Sequence, residues 1–235
     1  MNQALAAILQ RRAIKVFRPV EIPDAPRRDP RRGRIAPSRF NKQPCRFYGV
    51  RTPAMRKTAA ALCMGQLPAE TASALIVAVA DRGSWRSTTQ AHLEWVRTAG
   101  VRRKQVSEYE NKSKLAKRSF IQGWFGTLGA LKWVLFRLLS FWKTIRMPPV
   151  SREGLFKWAV KSTFLACEDL MIATEALGLN TCPREGFDGR RLSKFLGLSP
   201  RHHEIVMVIA IGKKSSRHID PPQWRRPLQA TVTVL

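Results

Sequence analysis

The chain has 235 residues, 44% of them hydrophobic, which suits one large domain or two small ones with a substantial core and argues against disorder as the main state. Its 42 Lys+Arg against 16 Asp+Glu give a formal net charge of +26, a surface that attracts nucleic acid, anionic lipid headgroups or phosphorylated small molecules. The same numbers also describe an arginine-rich solvated surface around a small phosphate pocket.

In chain order, "MNQALAAILQRRAIKVF" reads as a helix. Ala4, Leu5, Ile8 and Leu9 recur at helical spacing, and the basic pair Arg11 and Arg12 ends it. "FRPVEIPDAP" is extended and broken by proline. The basic run Arg27 to Arg34 reads as a solvated loop or a basic arm, because Pro26 and Pro30 oppose a regular helix. "RIAPSRFNKQPCRF" concentrates Pro37, Ser38, Asn41, Gln43 and Pro44, residues that favour turns. "CRFYGVRT" alternates as a strand does, "PAMRKTAAALCMGQ" is helical, and Ala72 to Asp81 is a continuous apolar run expected of a strand buried on both faces.

From Arg82 to about Arg118 the chain is polar and helical in places. Gly123 to Pro149 then predicts an amphipathic helix, with Leu131, Val134, Leu135, Leu138, Phe141, Trp142 and Ile145 on one face and Lys132, Lys143 and Arg146 on another; Pro148 and Pro149 stop it. Its length is near the roughly 20 residues of a membrane span, but Lys132 and Arg137 within hydrocarbon would cost roughly 2.5–3.5 kcal/mol each. Packing over the protein's own pocket or a partner subunit is the first expectation, lying on a membrane surface the second, and spanning the third.

"SREGLFKWAVKSTFLACEDLMIATEALGLN" predicts a long helix with Leu165, Asp169, Ile172 and Ala176 at its spacing and a glycine at its end. "TCPREGFDGRRLSKFLGLSP" reads as a loop and a short helix capped by Asp188, "HEIVMVIAIGK" as a buried strand, and the tail as extended. Helices alternating with buried strands indicate α+β or α/β, residues 1–235 as one domain, with no internal repeat. Cys45, Cys63, Cys167 and Cys182 form no C-x-x-C pair, so a zinc ribbon or a thioredoxin motif is not expected, and no metal site is. The amino-terminal apolar run precedes its basic cluster, the reverse of a secretory signal, so a reducing, cytoplasmic setting is expected.

Several separated segments, "LQRRAIKVF", "APSRFNKQP", "ALIVAVAD", "ATEALGLNTCPREGFD", "VMVIAIG" and "WRRPLQATV", occur in an order that resembles the FMN-dependent nitroreductase family. The resemblance covers most of the chain, and residues 82–150 are its least constrained part. It implies an α+β sheet, antiparallel or mixed, sandwiched by helices in an intertwined homodimer, with two FMN sites at the interface lined from both chains. Residues 119–149 would form a helical insertion: a lid, a dimer element or a membrane-surface element.

By this resemblance Arg11 meets the FMN phosphate or ribityl region, Arg12 assists, and Lys15 stands near flavin N1/O2, where a cation favours the reduced anion. Taken alone, all three are basic residues in a helix's last turn. Pro37, Ser38 and Asn41 belong to a loop presented to the partner's flavin, and Gln43 holds that loop. Gln66 falls where the family often has an amide beside the ribityl chain or pyrimidine edge; surface placement is the alternative. Pro183, Glu185 and Gly186 run beside the isoalloxazine, with a backbone N–H facing N5 and a glycine permitting close approach. Arg225, with Arg226 beside it, is a second phosphate-binding residue. Departures from the family pattern are Ala13 for a serine, Gln223 for a lysine, Cys45 for an aromatic residue and the proline-interrupted arginine run; they put FMN affinity, rather than fold, in question.

The implied activity is an FMN-dependent NAD(P)H oxidoreductase with a ping-pong cycle. Hydride passes from NADH or NADPH to flavin N5 and on to an electron-poor acceptor, a nitroaromatic or a quinone. No side-chain nucleophile or acid–base pair is required, and His202 and His203 read as surface histidines. The rival readings are a degenerate flavin fold binding nucleic acid or anionic membrane, and a flavin-superfamily reductive dehalogenase or flavin-fragmenting enzyme.

Overall fold

The structure is a computed structural model, and residues 3–21, 35–123, 127–144, 149 and 151–234 are described. The basic run 27–34, Trp124, Ile145, Arg146 and Pro148 lie outside these. The elements are α1 (Gln3–Gln10), β1 (Phe17–Arg18), β2 (Cys45–Val50), α2 (Pro53–Leu62), α3 (Leu67–Thr71), β3 (Ala74–Asp81), α4 (Trp85–Thr98), α5 (Arg103–Phe120), α6 (Thr127–Leu139), α7 (Arg152–Ala176), β4 (Asn180–Arg184), α8 (Gly189–Phe195) and β5 (His203–Lys214).

β3 is buried at every position and lies between β2 and β5, antiparallel to both. Its side chains alternate between two cores. Leu75, Val77 and Val79 join the core that includes residues of α2, α3 and α8, whereas Ile76, Ala78 and Ala80 join Ala159, Cys167 and Leu170 of α7. The sheet is thus covered on both faces, as its unbroken apolar run predicts. β4 and β1 pair one after the other along the free edge of β5, also antiparallel.

Local chemistry sets the boundaries. Thr52 caps α2 by accepting from Met55 N, and Pro53 occupies the first turn, where no amide partner is needed. Ser151 caps α7 in the same way, and Gly178, at φ +70, follows its end. Asp188 caps α8 by accepting from Arg191 N at 2.9 Å, as expected.

Four expectations change. First, the amino-terminal helix stops at Gln10. The chain beyond it turns into the sheet, with Ile14 N donating to Thr181 O at 3.0 Å and Ala13 bridging Thr181 in parallel. Second, "NTCPR" is strand β4 rather than loop. Pro183 is tolerated there because at its position β4 pairs with β5 alone, the bridge to Ala13 being at Thr181.

Third, the residues picked out by spacing on α7 are not the ones it buries. Leu155, Ala159, Thr163, Ala166, Leu170 and Thr174 go inward, while Leu165 is 50% exposed. Small side chains at Ala159 and Ala166, both fully buried, let the helix pack closely on the sheet. Fourth, α6 ends at Leu139, short of the prolines, and its apolar face is open to solvent in the single chain: Leu131, Val134, Leu135 and Leu138, with Phe141 and Trp142 in the turn beyond, are 47–78% exposed.

Candidate cofactor site

The pairing of residues 13–14 with β4 builds the site. It lays the segment after α1 alongside Thr181, so basic side chains one, two and five residues past the helix converge on a strand. Arg11, Arg12, Lys15, Pro183 and Arg225 line one cavity of about 340 Å³ together with His218, Asp220 and Trp224.

Each cation has a definite anchor. Arg11 Nε lies 3.4 Å from Glu168 Oε1 on α7, and Arg12 Nη1 donates to Pro221 O at 3.0 Å, tying the tail to the amino-terminal segment. Lys15 Nζ sits 3.9 Å from Cys182 Sγ, and Lys15 N donates to His218 Nδ1 at 3.2 Å. Arg225 Nη1 donates to its neighbour's carbonyl, Trp224 O. Among the described residues Asp220 is the one carboxylate in the lining, and it is paired with Lys214 and with His218 Nε2. These contacts hold the Asp220 carboxyl below its ordinary pKa, chiefly through the hydrogen bond from Lys214.

Four cations around a cavity whose carboxylate is already paired suit a phosphate dianion at one end of a polar cofactor. Thr181, behind this lining, is fully buried beside Ala13, and its Oγ1 has no hydrogen-bond partner. A cradle follows where β4 ends. A Cβ placed on Gly186 would lie 2.8 Å from Gln66 Nε2, so any larger residue would require this amide to move. Gln66 Oε1 in turn accepts from Arg184 Nη2. The residues present therefore fit FMN: cations for the phosphate, Lys15 beside Cys182 in the same cavity, and an amide and a side-chain-free backbone past the end of β4.

The loop expected to reach a partner's flavin lies elsewhere in this chain. Pro37 and Ser38 line a separate groove of about 230 Å³ with Trp158, Lys161 and Leu165 of α7. The loop is tightly held: Gln43 N donates to Ser38 Oγ and Gln43 Nε2 to Asn41 Oδ1, both at 2.9 Å. Phe40, Asn41 and Gln43 all have positive φ, a conformation Asn tolerates better than most residues. Gln43 thus holds the loop, as expected. Lys42 is almost fully buried, and burial lowers its pKa. Arg226 follows Arg225 in the exposed tail and does not line the cavity, and Glu185 is exposed beyond β4.

Sequence reading missed His218 and Asp220. Both lie in "RHIDPP", a segment without regular structure, and the available signal was a histidine and an aspartate two apart beside a basic tail. Arg184 was missed because its segment was read as a loop. His203 is no simple surface residue: it is partly buried, with Nε2 3.6 Å from Asp81 Oδ2. Burial raises the Cys63 thiol to about 11 and the Cys167 thiol to about 12, disfavouring their thiolates.

Residues 8–213 match the sequence model of the Nitroreductase family. The chain is similar to a Thermus thermophilus protein named NADH dehydrogenase, at 28% identity over 97% of this chain and 94% of that one. It is also similar to Protein DrgA of Synechocystis, at 28% identity over 94% and 87%. Among solved structures, a protein of Exiguobacterium sibiricum assigned as a nitroreductase and crystallised in complex with FMN shares the fold at TM-score 0.75 and 18% identity, covering 100% of this chain and 98% of that one.

Proposed function

As a member of the nitroreductase family, the chain is an FMN-dependent NAD(P)H oxidoreductase, and we propose that it reduces an electron-poor acceptor, a nitroaromatic or a quinone, by a ping-pong cycle. The observation that carries this reading is the convergence of Arg11, Arg12, Lys15 and Arg225 on one cavity beside the end of β4. When bound, FMN supplies the centre that takes up and gives back a hydride between donor and acceptor.

The chain's own residues bind and tune. Arg11, Arg12 and Arg225 hold the phosphate, the arginine fork matching its oxygens. Lys15 places a fixed positive charge where the reduced ring system becomes anionic, which favours the reduced form. Gln66, fixed by Arg184, and the bare backbone of Gly186 would border the ring edge when FMN is bound. Ala13 offers no hydroxyl there, a loss worth about 0.5–1.5 kcal/mol as a single neutral hydrogen bond.

The working form is a homodimer in which Pro37, Ser38 and Asn41 reach the partner's cavity. Unpartnered apolar surface supports it: Leu5, Ile8 and Leu9 on α1, Phe164 and Leu165 on the neighbouring α7, and Trp224 in the tail are exposed in the single chain. A cytoplasmic setting suits its free, mostly buried thiols. Among the described residues no helix is long and apolar enough to cross a membrane.

One spectrum tests the proposal. The purified protein is expected to be yellow, with FMN near one per chain, and to bleach on anaerobic addition of NADH or NADPH and recolour with a quinone. Colourless protein that cannot be reconstituted with FMN would refute it, as would bound flavin that neither nicotinamide reduces.

A further inference from the structure

α6 is turned inside out. Its inward edge is formed by Gly129, Lys132 and Phe136, spaced three and four apart; Gly129 is buried and the other two are partly buried. Lys132 Nζ donates to Arg118 O and Ile121 O, the carbonyls at the end of α5, so a cation fastens the helix to the body. Burial lowers the pKa of this ammonium. The opposite face is apolar and open to solvent: Leu131, Val134, Leu135, Leu138 and, in the turn beyond, Phe141 and Trp142. Arg137 borders this face, its guanidinium 5.7 Å from the Phe141 ring, and Lys143 is exposed just beyond the turn that follows the helix.

Charge decides what covers it. Between Glu110 and Glu153 the sequence has no Asp or Glu and nine Lys and Arg. A second copy pairing α6 against α6 would bring like charges together with no carboxylate on the element to relieve them, on a chain already at +26. An anionic lipid surface instead complements the cations while its acyl boundary takes up the apolar face, and tryptophan and phenylalanine favour the headgroup level. We propose that α6 docks this protein on anionic membrane, lying in the interface plane rather than crossing it. This explains both the exposed apolar helix and part of the positive charge, neither of which the flavin site requires.

The test is co-sedimentation of the FMN-loaded protein with vesicles of phosphatidylcholine alone and of equimolar phosphatidylcholine and phosphatidylglycerol. Binding is expected with the anionic vesicles only, weakening as salt is raised. Leu138→Glu, at a half-exposed position, is expected to lower partitioning at least about tenfold, as a charge replaces leucine in the buried face. Arg137→Gln with Lys143→Gln is expected to lower it about 30-fold, which is about 2 kcal/mol at about 1 kcal/mol per basic residue near the surface. Flavin absorbance and the thermal midpoint show whether each variant is folded. No binding to anionic vesicles would overturn the proposal, and so would full binding by Leu138→Glu. Conversion of a native dimer to a monomer by Leu138→Glu, read by light scattering, would also overturn it, because a second copy would then be what covers the face.

Discussion

Gly186→Ala tests the cradle at the end of β4. The added methyl carbon would stand 2.8 Å from Gln66 Nε2, closer than real Cβ atoms come, so something must shift. The backbone of Gly186 is outside the left-handed region, so the cost comes from the contact and not from the torsion. Gln66 is the group free to swing, yet its Oε1 accepts from Arg184, whose Nε is buried and has no partner. Displacing Gln66 therefore removes a hydrogen bond to a charged group, worth about 1.5–3 kcal/mol. In a chain of this size that lowers the apoprotein's thermal midpoint by roughly 3–12 °C at about 2–4 °C per kcal/mol. Calorimetry of the apoprotein reads the stability, and FMN titration followed by fluorescence should show about tenfold weaker binding as the Pro183–Gly186 segment loosens. The double-mutant cycle is the sharper measurement. Gln66→Ala already forfeits the bond to Arg184 and clears the space, so Gly186→Ala should cost little more in that background. Equal destabilisation in both backgrounds, or none in either, would refute the reasoning.

Thr181→Val removes a buried hydroxyl that has no partner in the apoprotein and should raise apoprotein stability by about 1–3 kcal/mol, read from urea midpoints at constant slope. Asn41→Ala loses the bond from Gln43 and places alanine at φ +51; about 1–2 kcal/mol of loop order is lost, which should appear as roughly tenfold weaker FMN retention on gel filtration with the dimer intact. His92, edge-on to Tyr109, is held below its ordinary value of 6.5 by burial and then by the Lys42 ammonium. The unfolded chain therefore binds this proton more readily, so stability is flat above about pH 6.5 and falls as pH drops below it; His92→Phe should flatten the difference between urea midpoints taken at about pH 7.5 and about pH 5.5.

What the sequence determined on its own is what local chemistry and unbroken hydrophobicity encode. The apolar run at 72–81 announced a strand covered on both faces, Asp188 announced a helix start, and the ordered segments from "LQRRAIKVF" to "WRRPLQATV" carried the family. Where the reading failed, a non-local partner decided. Nothing within residues 11–15 says that they leave the helix; the free carbonyl of Thr181, far along the chain, draws them into the sheet and thereby aims Arg11, Arg12 and Lys15 at one cavity. "NTCPR" became a strand because β5 offered it an edge. α7 could bury either of two plausible faces, and close packing on the sheet selected the one lined with alanines and threonines, leaving Phe164 and Leu165 exposed. Amphipathicity predicted that α6 has an apolar face but not its direction. That was settled by where a single ammonium, Lys132, finds carbonyls to bind, at the end of α5.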